Sequence, residues 1–207
     1  MTVKAVLTGD IVNSTRLGLA KDKKLTHALL EIFEGDKMEF YRGDSFQAYV
    51  KDPRHALRLA LLSRTAAIRL FKDEGRVMAD IRISIGIGKV VSPVKVLKTA
   101  KGEAFLLSGR QFDNIIKMNR RLAIISNNAL ANEGLQVIAD YLDQIFFTMT
   151  GKQAEVVFEM LKGKTQKEVA GKIKRTKSTV HQRTLSGRWP EIESLLQRYE
   201  NIINQLL

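Results

Sequence analysis

Residues 37–50 read KMEFYRGDSFQAYV. Two short runs, 37–41 and 46–50, flank the turn dipeptide Gly43-Asp44, so the segment reads as a β-hairpin. A helix lies on either side. Upstream, Asn13, Ser14 and Thr15 cap a helix that carries Leu17, Leu25, Leu29, Leu30 and Phe33. Downstream, Pro53 opens a second helix with Leu57, Leu61, Ile68 and Phe71 at helical spacing, and Glu74-Gly75 ends it. Beyond each helix lies another strand. Residues 4–12, KAVLTGDIV, form an apolar run with β-branched residues, the pattern of a buried strand. In residues 80–91, Ile81, Ile83, Ile85 and Ile87 alternate with Arg82 and Ser84, the pattern of a half-buried strand.

The resulting order, β-α-β-β-α-β, predicts an α+β fold of ferredoxin-like layout, with helices on one face of an antiparallel sheet. Residues 102–117 read as a helix, 122–125 as a further short strand, and about 133–147 as another helix. The character changes near 148–150. This divides the chain into residues 1–148, an α+β domain, and 149–207, an all-α domain. No Gly/Ser-rich linker separates them, which fits a rigid junction.

The chain has 207 residues, enough for one large or two small domains. It contains no Cys, which excludes disulfides, thiolate catalysis and Cys-ligated zinc or iron–sulfur centres. His27, His55 and His181 are scattered, with no pair at metal-ligand spacing on one helix. No apolar stretch approaches the ~20 residues that span a bilayer. Asp10 and Asn13 interrupt the N-terminal apolar run, against a signal peptide. The expectation is a cytoplasmic protein without a membrane partner.

The formal net charge is +12. Such an excess suits an anionic partner, nucleic acid or phosphates, or else a solvated basic surface. Residues 149–207 hold 11 basic and 6 acidic side chains, and within 162–188 nine basic residues face only Glu168. In that region residues 152–161 read as a helix with Val156, Val157, Met160 and Leu161 on one face, ended by Gly163. Thr165 and Glu168 form a capping box for a second helix, 166–173, with Val169, Ala170 and Ile173 inside. After a three-residue break, Lys177, Ser178 and Thr179 start a third helix to about Ser186, with Val180 and Leu185 facing inward.

This is the pattern of a helix-turn-helix, whose second helix enters the major groove of double-stranded DNA. The third helix presents Lys177, Ser178, Thr179, His181, Gln182 and Arg183. Gln182 suits adenine and Arg183 guanine. Lys162, Lys164, Lys172, Lys174 and Arg175 suit phosphates. The plainer alternative is a helical interaction domain with a basic surface. Trp189 and Pro190 begin a last helix, in which Ile192, Leu195, Leu196, Tyr199, Ile202, Ile203 and Leu206 form an apolar stripe. It either closes the helical core or makes a homodimer seam.

Two carboxylates carry possible chemistry in the first domain. Asp10 ends the first strand and Asp44 sits in the hairpin turn. Adjacent strands would bring both to one sheet edge, where they suit Mg²⁺ or Mn²⁺. Backbone N–H groups through Asn13, Ser14 and Thr15 would cradle phosphates of a nucleotide. Alternatively, Asp10 caps the helix and Asp44 serves the turn.

The stretches GDIVNSTRL, FYRGDSFQAYV, IRISIGIGKV and GEAFLLSGR resemble the core of class III nucleotidyl cyclases. The resemblance implies that Asp10 and Asp44, with the carbonyl of Ile11, bind two metal ions, and that Arg110 is the transition-state arginine. It also exposes departures. Leu106 stands where the family has its transition-state asparagine, Phe40 where it has the purine-reading lysine, and Thr99 where it has a second purine-reading residue. A cyclase must hold the base and stabilise a charged transition state, so these losses argue against efficient cyclisation.

The whole chain, from residue 5 to about 203, is similar to the SatD family of bacterial proteins. AVLTGDIV, GDSFQ, GEAF and LDQIFFTMTGKQAEVVFEMLKGKTQKEVA carry the likeness. It implies a cyclase-like domain joined to a helix-turn-helix and a link to bacterial stress physiology. The leading expectation is a DNA-binding homodimeric regulator whose first domain dimerises or senses a ligand. The others are a metal-dependent nucleotide cyclase or phosphohydrolase using Asp10 and Asp44, and a nucleotide-binding module without turnover.

Overall fold

The computed structural model describes residues 2–41, 43–91 and 93–207, so Arg42 of the hairpin lies outside the described residues. The strands are β1 (Thr2–Val12), β2 (Lys37–Tyr41), β3 (Ser45–Val50), β4 (Asp80–Val90) and β5 (Leu122–Ser126). The helices are α1 (Gly18–Ile32), α2 (Ala56–Ile68), α3 (Glu103–Lys117), α4 (Ala129–Phe147), α5 (Gly151–Leu161), α6 (Gln166–Ile173), α7 (Lys177–Ser186) and α8 (Trp189–Leu206). The fold is α+β.

The sheet runs β2-β3-β1-β4-β5. Its first four strands are antiparallel, and β5 pairs with β4 in parallel. The sheet is therefore mixed, not antiparallel throughout. The cause is α3, which carries the chain across the sheet between β4 and β5 and so reverses it a second time.

Helices cover both faces, not one. On the first face Ile81, Ile83, Ile85 and Ile87 share a core with α1, α2 and α4. On the other, α3 lies against the positions that alternate with them. Gly86 makes this possible: a Cβ there would stand 2.4 Å from the Ala104 carbonyl and 2.5 Å from the Ser108 nitrogen. Ser84 is fully buried beneath the same helix. Strand β4 is thus enclosed on both sides rather than half-buried.

Helix α2 is buried nearly all round, because the sheet packs on one side of it and α5 and α8 on the other. The main apolar core consequently runs without a break from β1 and β4 through α2 to Val157, Phe158, Ile192 and Tyr199. Residues 148–150 form a short connection across it, with Thr150 capping α5. Gly151 sits where its Cβ would meet the Lys72 backbone at 2.5 Å, so α5 starts hard against the turn after α2.

The apolar stripe of α8 is occupied by this packing. Ile192, Leu195, Leu196, Tyr199 and Ile203 are buried, and the Tyr199 hydroxyl donates to the Pro53 carbonyl at 2.7 Å. Leu185, expected to face inward, is 55% exposed. Helix α7 is turned so that Val180 and Thr184 fill its inner face instead.

An ion network closes the core where α2, β4 and α4 meet. Arg64 is 0% exposed. It donates to both Asp80 oxygens at 3.1 and 2.7 Å and to Asp143 Oδ1 at 2.8 Å. Arg121 Nη1 donates to Asp80 Oδ2 at 3.0 Å.

Candidate functional site

Strand register places two polar rows across the sheet face that carries α3. One runs Tyr41, Ser45, Asp10, Arg82 over β2, β3, β1 and β4. The next runs Glu39, Gln47, Thr8, Ser84 over the same strands. Thr8 is tied to Ser108 of α3 at 3.0 Å and accepts from Gln47 at 3.3 Å. Among the described residues, the buried side-chain atoms without a hydrogen-bond partner are Asp10 Oδ1, Tyr41 Oη, Arg82 Nε and Ser84 Oγ. All four belong to these two rows. Leaving such groups unpaired in a folded chain is costly, so these rows are where bridging water would be held.

Asp10 and Asp44 do meet at one edge. The β1–β3 register sets Asp10 opposite Ser45, and the Ile11 N–H donates to the Asp44 carbonyl at 3.1 Å. Asp44 Oδ2 accepts from the Ser14 hydroxyl at 2.6 Å. Asp10 Oδ2 accepts from Arg82 Nη1 at 3.2 Å. Burial pushes the Asp10 carboxyl up from its ordinary range; Arg82 opposes that, and the neighbouring charge of Asp44 adds to it. Arg82, which sequence reasoning assigned only to a polar strand face, is thus the counter-ion of this edge. Its signal was its place in the alternation of β4, but its partner is visible only once β1 and β4 are paired.

Both oxygens of Asp44 and the orphaned Oδ1 of Asp10 are hard donors of the kind a divalent cation takes. Among the described residues no group of three or more acidic or His side chains gathers around a common point.

Asn13, Ser14 and Thr15 do not cap a long helix. Ser14–Arg16 is a separate 3-10 turn, and α1 begins only at Gly18. The Asn13 amide donates to the Met78 carbonyl at 2.9 Å. Ser14 and Thr15 line a shallow cleft with Asp22 and Asp44, whose charges repel phosphate unless a cation intervenes. Arg110 stands exposed on α3. Phe40 packs edge-on against Phe46 in the core, with ring centroids 5.9 Å apart, so that position turns away from the polar rows. Leu106 and Thr99 are exposed.

In the C-terminal part, α6 and α7 are joined by residues 174–176, with Lys174 in the left-handed conformation at φ 54°. Val156, Val169, Ala170 and Val180 form the small core that holds the pair on α5. Both expected caps of α6 are made: Thr165 Oγ1 accepts from the Glu168 N–H, and the Glu168 carboxylate accepts from the Thr165 N–H at 2.8 Å. Lys177, Ser178, His181 and Gln182 form one exposed stripe of α7. Lys174 and Arg175 are exposed beside it.

Three expected contacts are committed elsewhere. Arg183 turns inward to Glu155 at 3.4 Å. Thr179 bonds Thr176 at 2.9 Å. Lys164 pairs with Glu159 at 2.9 Å. Spacing could not show the first and third, because Glu155 and Glu159 lie on α5, whereas the Thr176–Thr179 bond is a local cap three residues apart.

Glu159 is 3% exposed and gathers Lys164 and Lys172, tying α6 to α5. Burial alone would raise its pKa, but the hydrogen bonds from Lys172 and Lys164 outweigh that and hold it low. Its stabilisation is therefore present above the unfolded value of 4.5 and lost as pH falls through the lower folded value. Glu159→Gln is expected to cost about 2 kcal/mol at neutral pH. The gap to wild type should narrow in urea titrations below pH 4.5. A gap that persists unchanged in acid would show that the charge is not its source.

No protein-family model matches the sequence, and no curated protein matches it either. Among solved structures, a bacterial light-regulated adenylyl cyclase aligns over 59% of this chain and 74% of its own, at 16% identity and a TM-score of 0.42. A second structure of a bacterial light-regulated adenylyl cyclase aligns over 59% of this chain and 43% of its own, at 16% identity and a TM-score of 0.41. Among the described residues no helix is long and apolar enough to cross a membrane.

Proposed function

We propose that the chain is a DNA-binding regulator in which α6 and α7 act as a helix-turn-helix and the sheet unit is a catalytically degraded, cyclase-like sensor or dimerisation module. The observation that carries the reading is the stripe Lys177, Ser178, His181, Gln182. It is exposed, polar and basic, lies at the start of the second helix of a short-turn pair, and is held on its own apolar core. Such a helix reads base edges with its N-terminal residues. Gln182 suits adenine, and Lys174, Arg175 and Lys177 suit flanking phosphates. Arg183 serves to position α7 through Glu155. A homodimer would present two copies of α7 at half-sites about 34 Å apart.

The test is fluorescence anisotropy on the DNA upstream of the protein's own gene against a scrambled duplex, in a salt series. Lys177→Ala should weaken binding to all sequences and reduce the salt slope by about 1. Gln182→Ala should cost about 1–3 kcal/mol on the native site only. Absence of binding to either duplex at low salt would defeat the reading.

The orphaned Oδ1 of Asp10 beside Asp44 supports a second reading, metal-dependent processing of a nucleotide. Asp10 and Asp44, with the carbonyl of Ile11, would hold Mg²⁺ or Mn²⁺, which supplies charge neutralisation of phosphates and activation of a hydroxyl. Arg82 would fix the Asp10 carboxylate and add a second positive charge. Incubation with Mn²⁺ and each nucleoside triphosphate tests it: product that disappears in Asp10→Asn supports it, and no product defeats it.

A further inference from the structure

A cleft of about 330 Å³ lies between the sheet unit and the helix pair, where α1, the turn after α2, α5 and the end of α6 meet. Lys24, Arg69, Lys72, Lys172 and Lys174 line it, together with Glu155 and Glu159. The two carboxylates are already engaged. Glu155 holds Lys72 and Arg183, and Glu159 holds Lys164 and Lys172. Lys24 and Lys174 therefore have no carboxylate within 4.0 Å among the described residues.

Arg69 is the informative group. Its guanidinium lies 3.5 Å from the centroid of the Phe158 ring, half-buried, and comes no nearer than 4.0 Å to Glu159. Among the described residues its N–H groups reach no acceptor. A guanidinium stripped of water on one face and left without an acceptor on its edge is poised for a planar oxyanion. Burial lowers its pKa, with Glu159, Glu155 and Glu31 only partly opposing.

We infer that this cleft binds a small phosphate-bearing anion, with Arg69 as its central donor and Lys24 and Lys174 closing on it from the two halves of the chain. The volume suits a phosphorylated small molecule rather than a lone halide. Lys174 opens the turn between α6 and α7, whereas Lys24 belongs to α1. A bound anion would thereby tie the helix pair to the sheet unit. The inference does not depend on the DNA-binding reading.

The test is isothermal titration of the full chain with pyrophosphate at constant ionic strength, with chloride as the control. Wild type should bind pyrophosphate and not respond to chloride. Lys24→Gln and Lys174→Gln, both at exposed positions that leave the fold intact, should each bind about tenfold more weakly, as should Arg69→Gln. Equal binding by wild type and all three variants, or no binding, overturns the inference. The same variants are measured on duplex DNA. A loss of DNA affinity in Lys24→Gln without any pyrophosphate binding overturns it as well, in favour of a backbone-phosphate contact.

Discussion

Arg64→Ala is expected to destabilise the chain by about 3–5 kcal/mol, because it leaves carboxylates in the core without their guanidinium. Asp80 is 1% exposed. It would keep only Arg121 and the Ile81 N–H, which donates to Oδ1 at 2.7 Å. Asp143 would lose its 2.8 Å partner, keeping the Arg121 N–H at 3.0 Å. For a chain of this size the melting temperature should fall by roughly 6–20 °C. Arg64→Lys should lose less, since it keeps the charge but cannot fork to two carboxylates. Urea unfolding decides the matter. A loss under about 1 kcal/mol for Arg64→Ala would mean the network is solvated and replaceable.

Gly86→Ala should be the other severe change, at about 3 kcal/mol. The obstacle is backbone, the Ala104 carbonyl at 2.4 Å and the Ser108 nitrogen at 2.5 Å, so α3 must lift from the sheet as a unit. Lifting it would also break the Thr8–Ser108 bond and loosen the polar rows. Gly109→Ala is the internal control. It lies in the same helix, a Cβ there meets nothing within 4 Å, and it should gain up to about 1 kcal/mol from helix propensity. Equal stability of the two variants in thermal unfolding would show that α3 does not pack as closely as the geometry requires.

Much of the element order was legible in the residues. The alternation of Ile81 to Ile87, the Gly43-Asp44 turn and the Thr165/Glu168 capping box are local signals, each written within a few residues, and the structure contains each. Local patterns failed where tertiary partners decide. Arg82 and Ser84 looked like a solvent face because side-chain chemistry alone cannot announce that α3 will cover it. The glycines at 86 and 88 were the only hint. Helix α2 looked one-sided because Leu57, Leu61 and Ile68 satisfy one stripe. Its burial follows from α5 and α8 arriving on its other side.

The candidate sites divide in the same way. The exposed stripe of Lys177, Ser178, His181 and Gln182 follows from helical periodicity, a short-range rule, whereas Asp10 and Asp44 were legible as residue types and meet only through the pairing of β1 with β3. The sequence by itself determined the strands, the helices, the location of the positive charge and the two carboxylates. Tertiary structure decided that Arg82 neutralises Asp10, that Arg183 and Lys164 turn inward to Glu155 and Glu159, and that Lys24 and Arg69 share a cleft with Lys174. The reason is physical: each of these pairs joins residues from different elements, and an ion pair or a cleft exists only after packing has set the distance between them.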